Sequence, residues 1–95
     1  MVETLMNMLK DFLNGDYPIE DFSWDFPNEL VVATPELEKQ YPQLSALLNE
    51  DMPEVCCGYE TDANERKRYP DLYFSEEQIR EKTLQVYKEA LKLLN

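Results

Sequence analysis

Ser75-Glu76-Glu77-Gln78-Ile79-Arg80-Glu81-Lys82-Thr83-Leu84-Gln85-Val86-Tyr87-Lys88-Glu89-Ala90-Leu91-Lys92-Leu93-Leu94-Asn95 is the stretch that decides the fold class. Serine followed three residues later by glutamine is a capping-box start, in which each side chain satisfies a backbone N–H that the first helical turn leaves free. Ile79, Thr83, Val86, Tyr87, Ala90, Leu91 and Leu94 then return at helical spacing. No proline or glycine interrupts them. An amphipathic helix draws most of its stability from what covers its apolar face, so the rest of the chain must supply that cover.

Reading towards the N-terminus, residues 61–74 look like a long loop holding Asp62, the basic triplet Arg66-Lys67-Arg68, and Tyr69-Pro70. Residues 42–59 read as a helix broken or kinked near Met52. Pro42 opens it and Leu44, Leu47 and Leu48 are its buried side. Asp51-Met52-Pro53-Glu54 makes a second start with Asp51 as N-cap, and Val55, Cys56 and Tyr59 form the inner face that follows. From Asn28 to Tyr41 the pattern is mixed: Leu30-Val31-Val32 suits either a helical turn or a short extended piece. Ile19, Phe22 and Phe26 share one side of a helix begun at Pro18, with Trp24 elsewhere, and Pro27 is expected to end or kink it. Val2, Leu5, Met6, Leu9, Phe12 and Leu13 mark the first helix, and Gly15 stands where a left-handed cap belongs. The expectation is one all-α domain over residues 1–95, a small three- to four-helix bundle.

The chain has 95 residues, with 20 Asp+Glu against 9 Lys+Arg, a formal net charge of −11, and no histidine. Residues 1–62 carry a balance of −12 and residues 63–95 one of +1. Phosphate backbones and anionic membranes repel such a chain, so its partner is expected to be basic. Lacking histidine, it has neither the commonest general base nor the commonest zinc ligand, and no enzyme activity, metal or cofactor is expected. Asp16, Asp21 and Asp25 do not have the spacing or the glycine of a calcium loop. Adjacent Cys56 and Cys57 cannot form a framework disulfide and, on a helix, point about 100° apart. With no secretory-type start and no apolar run near the roughly 20 residues of a membrane span, the expected setting is soluble and cytoplasmic.

The acids gather in two stretches, 16–38 and 50–62. Solubility needs only a modest net charge, so the excess points to an acidic binding surface. Phe12, Phe22, Phe26, Tyr59 and Tyr87 are the expected core aromatics, and Trp24, Tyr69 and Tyr73 the surface ones.

Three anchors in order carry a family likeness: Leu9-Lys10-Asp11-Phe12-Leu13-Asn14-Gly15 with Ile19-Glu20-Asp21-Phe22, then Tyr59-Glu60-Thr61-Asp62-Ala63, then Ser75-Glu76-Glu77-Gln78-Ile79-Arg80. Their order and spacing resemble the colicin D-like immunity proteins, which also protect cells from contact-dependent inhibition toxins. Tyr69-Pro70 is similar to an element of the immunity proteins of DNase colicins, without their double tyrosine and downstream acids. The colicin D-like resemblance implies a helical domain that binds a toxin nuclease, one that cuts transfer RNA or another RNA, and fills its basic substrate pocket with carboxylates. Carried over by motif, Glu60 and Asp62 are the contact pair beside Tyr59. Glu50, Asp51 and Glu54 join them by helix geometry. A different class, an acidic adaptor or regulator of a basic protein without a toxin, rests on the charge alone.

Overall fold

A computed structural model of residues 1–95 resolves six helices: α1 (Val2–Asn14), α2 (Ile19–Gln40), α3 (Pro42–Glu50), α4 (Met52–Cys57), α5 (Ala63–Arg68) and α6 (Glu76–Leu94). The all-α expectation holds. The helix number is higher than three or four because the broken helix counts twice and a short extra helix, α5, lies outside the core. The packed units are still four: α1, α2, the α3–α4 pair, and α6.

Each boundary has a local cause. Gly15 adopts φ 85°, and its N–H and that of Asp16 return to the carbonyls of Phe12 and Asp11, a Schellman termination. Pro18 is extended and sits just ahead of α2, its carbonyl accepting from the Phe22 N–H. Tyr41 breaks α2 from α3, and Pro42 takes the first position of α3. Asp51 separates α3 from α4, as expected near Met52, but it makes no side-chain cap. Its carboxylate pairs instead with Lys82 at 2.6 Å, a contact with α6 that no local pattern shows. The capping box of α6 is complete between Ser75 and Gln78.

The larger correction is α2. It does not end at Pro27 but stays helical through Pro27 and Pro35 to Gln40, so Leu30-Val31-Val32 takes the helical one of its two expected forms. A proline inside a helix costs about 3 kcal/mol through its lost hydrogen bond and its clash with the preceding turn. Against two such costs stand the buried Ile19, Phe22, Phe26, Leu30 and Leu37, each worth roughly 1.5–3 kcal/mol. Burial outweighs the breaks. Asn28 and Thr34 also donate to the carbonyls of Trp24 and Leu30, one turn back.

Sixteen buried apolar residues form one core, in which Phe12 and Phe22 stack at 4.2 Å between ring centres and Phe22 and Phe26 at 5.3 Å. Tyr59 and Tyr87, expected inside, are only partly buried and pack on its edge. Arg80 ties α6 to α1: it donates to the Phe12 carbonyl at 2.6 Å, a second bond to the acceptor that already takes the Gly15 N–H, and lies 4.4 Å over the Phe12 ring. The molecule measures 42 × 23 × 21 Å. Helix α2, with 22 residues rising about 1.5 Å each, is about 33 Å long. No helix is long and apolar enough to cross a membrane.

Candidate protein-binding surface

Two backbone hydrogen bonds fasten the chain after α4 to the chain before α6. The Phe74 N–H donates to the Gly58 carbonyl at 2.7 Å, and the Glu60 N–H donates to the Phe74 carbonyl at 2.9 Å. Gly58 permits this approach. A Cβ there would strike the Leu72 carbonyl oxygen and come within 2.7 Å of the Phe74 ring. The pairing fixes where Glu60 leaves the core and where the loop to Asp62 begins.

Both residues of that expected pair also work within the chain. Asp62 caps α5, its Oδ1 accepting from the Asn64 N–H at 2.8 Å, and Glu60 Oε1 accepts from the Asp62 N–H at 3.3 Å. Arg66 donates to the Glu60 carbonyl at 2.7 Å. Residues 61–74 are therefore not all loop: α5 fills Ala63–Arg68 with none of its residues buried. The cap Asp62, Glu65 three residues later, and the basic triplet at its end were local signals for it.

Two depressions flank the first half of α6. The first, about 600 Å³, is lined by Tyr59, Glu60 and Arg66 and by Glu76, Glu77 and Arg80 of α6. Its charge is mixed, with Arg80 paired to Glu76 at 2.8 Å. Burial raises the Tyr59 phenol above its ordinary value of 10.0, the charges of Glu20 and Glu76 add to this, and Arg66 opposes it. The second, about 420 Å³, gathers Asp51, Glu54, Glu81 and Lys82 around Val55 and Phe74. Lys82 is held by Asp51, so Glu54 and Glu81 face outward without an ion pair. Local spacing puts Glu81 on an exposed face of α6; its place beside Asp51 and Glu54, which are far away in sequence, appears only in the folded chain. Of the expected site, Tyr59 and Glu60 share the first depression and Asp51 and Glu54 the second. Asp62 is exposed beside the first, and Glu50, exposed at the end of α3, lines neither.

Only Asp51, Glu65, Glu76 and Glu89 engage in ion pairs, which leaves sixteen of the 20 acids unpaired. None of the six acids on α2 has a cationic partner. No group of three or more Cys, Asp or Glu side chains is placed to hold a metal ion. The arrangement suits binding to cationic surfaces. Compared with protein-family models, curated proteins and solved structures, the chain matches none of them.

Proposed function

We propose that this chain is an immunity-type inhibitor that acts in the cytoplasm by binding the basic nuclease domain of a bacterial toxin, an RNase, and covering its substrate site with carboxylates. The observation that carries this reading is the excess of exposed, unpaired acid on a helical scaffold. Such a surface imitates the phosphates that a nuclease pocket attracts. The likeness of the Tyr59-Glu60-Thr61-Asp62-Ala63 stretch to colicin D-like immunity proteins supports it. The Glu60–Asp62 corner, with Tyr59, and the Asp51–Glu54–Glu81 depression are the proposed contacts. The chain acts as a stoichiometric blocker and not as a catalyst.

The test begins with the gene neighbourhood, where a toxin reading requires a large secreted protein with a basic C-terminal domain encoded directly upstream. That domain is purified and its nuclease activity titrated with this chain. Inhibition is expected to level off near one inhibitor per nuclease. Glu60→Gln combined with Asp62→Asn removes both charges while leaving an asparagine able to cap α5. Breaking buried interfacial charge pairs costs about 2–5 kcal/mol, so the pair should weaken binding by ~30-fold or more. Full affinity in that variant would remove the assigned corner, and protection at far below one equivalent would remove the blocking mechanism.

A further inference from the structure

Helix α2 turns Trp24, Asn28, Val31 and Pro35 away from the core, since steps of four, three and four residues keep them opposite Phe22, Phe26 and Ala33. Trp24 is 73% exposed, Val31 70% and Val32 78%. Large apolar side chains scattered singly need no explanation, but these three stand within about two turns of one another on a single helix. Beside them, between α2 and α1, runs a groove of about 610 Å³. Met8, Tyr17, Trp24 and Val32 supply its apolar surface, and Asp25 and Glu29 its charge. The Tyr17 hydroxyl donates to Asp25 Oδ2 at 2.6 Å, which orients that carboxylate. No lysine or arginine lines the groove.

Charge decides between occupants. A second copy of this chain would bring the same uncompensated acids face to face within a molecule of net charge −11, and like charges directly opposed oppose docking. Apolar surface ringed by carboxylate calls for aliphatic side chains flanked by lysine or arginine. We propose that the α1–α2 groove is a docking site for a basic amphipathic segment of a protein partner, which lays aliphatic side chains on Trp24 and Val32 and a cation on Asp25 and Glu29. The groove would add an anchoring contact to the inhibitor proposed above. It rests on that reading for the partner's identity, but its chemistry can be tested separately.

Trp24 is the sole tryptophan, so its emission reports on the groove directly. The probe is a synthetic amphipathic helix of leucine and lysine about 14 residues long, a length that presents several anchors on one face. Saturable binding with a blue shift of Trp24 emission is expected. Polylysine, and the same peptide with glutamate for lysine, are expected to give no blue shift. Asp25→Asn with Glu29→Gln, and separately Val32→Ser, should each weaken peptide binding by ~10-fold or more. Glu36→Gln with Glu38→Gln, the same charge change further along the helix, should weaken it by less than about 3-fold. Trp24→Ala, followed by calorimetry, should also lose binding while its thermal unfolding matches the parent, because the side chain is exposed.

An unshifted emission, an equal shift with polylysine, or equal losses in the two acid-to-amide pairs would overturn the proposal. So would a dimer at micromolar concentration, seen by sedimentation and broken by Trp24→Ala, which would assign the groove to a second copy. The two readings fail separately. Peptide binding without nuclease inhibition would sink the toxin reading and leave the groove. Nuclease inhibition indifferent to every groove variant, with no peptide response, would do the reverse.

Discussion

Cys56 and Cys57 show how much one residue step changes. Side chains one position apart on a helix point about 100° apart, and here one thiol enters the core while the other meets solvent. Burial pushes the Cys56 thiol up to about 12, with its neighbour Cys57 adding to the effect. Near neutral pH a thiol-reactive dye should label one cysteine per folded chain, and Cys57→Ser should abolish that labelling. The second thiol should react only in denaturant, because the thiolate is the nucleophile and Cys56 can neither ionise nor be reached. Rapid labelling of both would mean that α4 opens. Tyr17 carries a pH signature. Burial first, then its hydrogen bond to Asp25 and the charges of Asp25, Asp21 and Glu29, push its phenol up from 10.0 to about 12. A group whose folded pKa is raised stabilises the fold fully below the unfolded value and loses that contribution as pH climbs through the folded one. Stability should therefore fall between pH 10.0 and about 12, and Tyr17→Phe should make the fall shallower. Cys56, whose own window runs from 9.0 to about 12, and Tyr59, also raised, keep some slope in the variant. Denaturant midpoints measured across that range check it. An unchanged slope would show that Tyr17 titrates normally.

At the scale of the element, α2 is an instance of packing overriding propensity. Around Pro27 and Pro35 the local signals favour a stop, and four residues such as Leu30-Val31-Val32-Ala33 fit two conformations. The core-facing set Phe22, Phe26, Leu30, Ala33 and Leu37 nevertheless keeps step across both prolines. That longer period was legible in the sequence and was masked by the breakers. Pro35 is exposed, so replacing it changes little packing. Pro35→Ala restores a hydrogen bond to the Val31 carbonyl and relieves the clash with that turn, at a cost of about 0.4–1 kcal/mol from a freer unfolded chain. A net gain of roughly 2 kcal/mol is expected from thermal or denaturant unfolding. A loss of stability there would mean that the proline is needed to shape the helix. For α5 the reverse holds: Asp62, Glu65 and the basic triplet were local signals, but six residues with no apolar face give no periodicity to read.

For the whole molecule the governing quantity is charge. Unpaired acids repel one another across the surface, and salt screens them over a Debye length of about 10 Å at 0.1 M. Adding sodium chloride should therefore raise the thermal midpoint of the isolated chain, and Trp24 and far-ultraviolet signals should report the same rise. Binding moves the other way. Association with a basic partner should slow by ~10-fold or more between low and high salt, with dissociation much less affected. A matched control for the proposed contacts is Glu89→Lys. Glu81, on the same helix, is unsuitable because it lines the depression with Asp51 and Glu54.

By itself the sequence determined the fold class, the capped and periodic α6, the break near Met52, the left-handed turn at Gly15 and the acidic balance. Each depends on residues within a few positions of one another, or on composition alone. Tertiary structure decided what depends on distant partners. It carried α2 through its prolines because the core rewards continuity. It turned Asp51 from a cap into the partner of Lys82 and brought Glu81 beside Glu54. It also placed Trp24 and Val32 against α1 in a groove walled by Asp25 and Glu29. Helical periodicity says which face of a segment is apolar; only packing against the other segments says which of its polar and apolar groups are left for a partner.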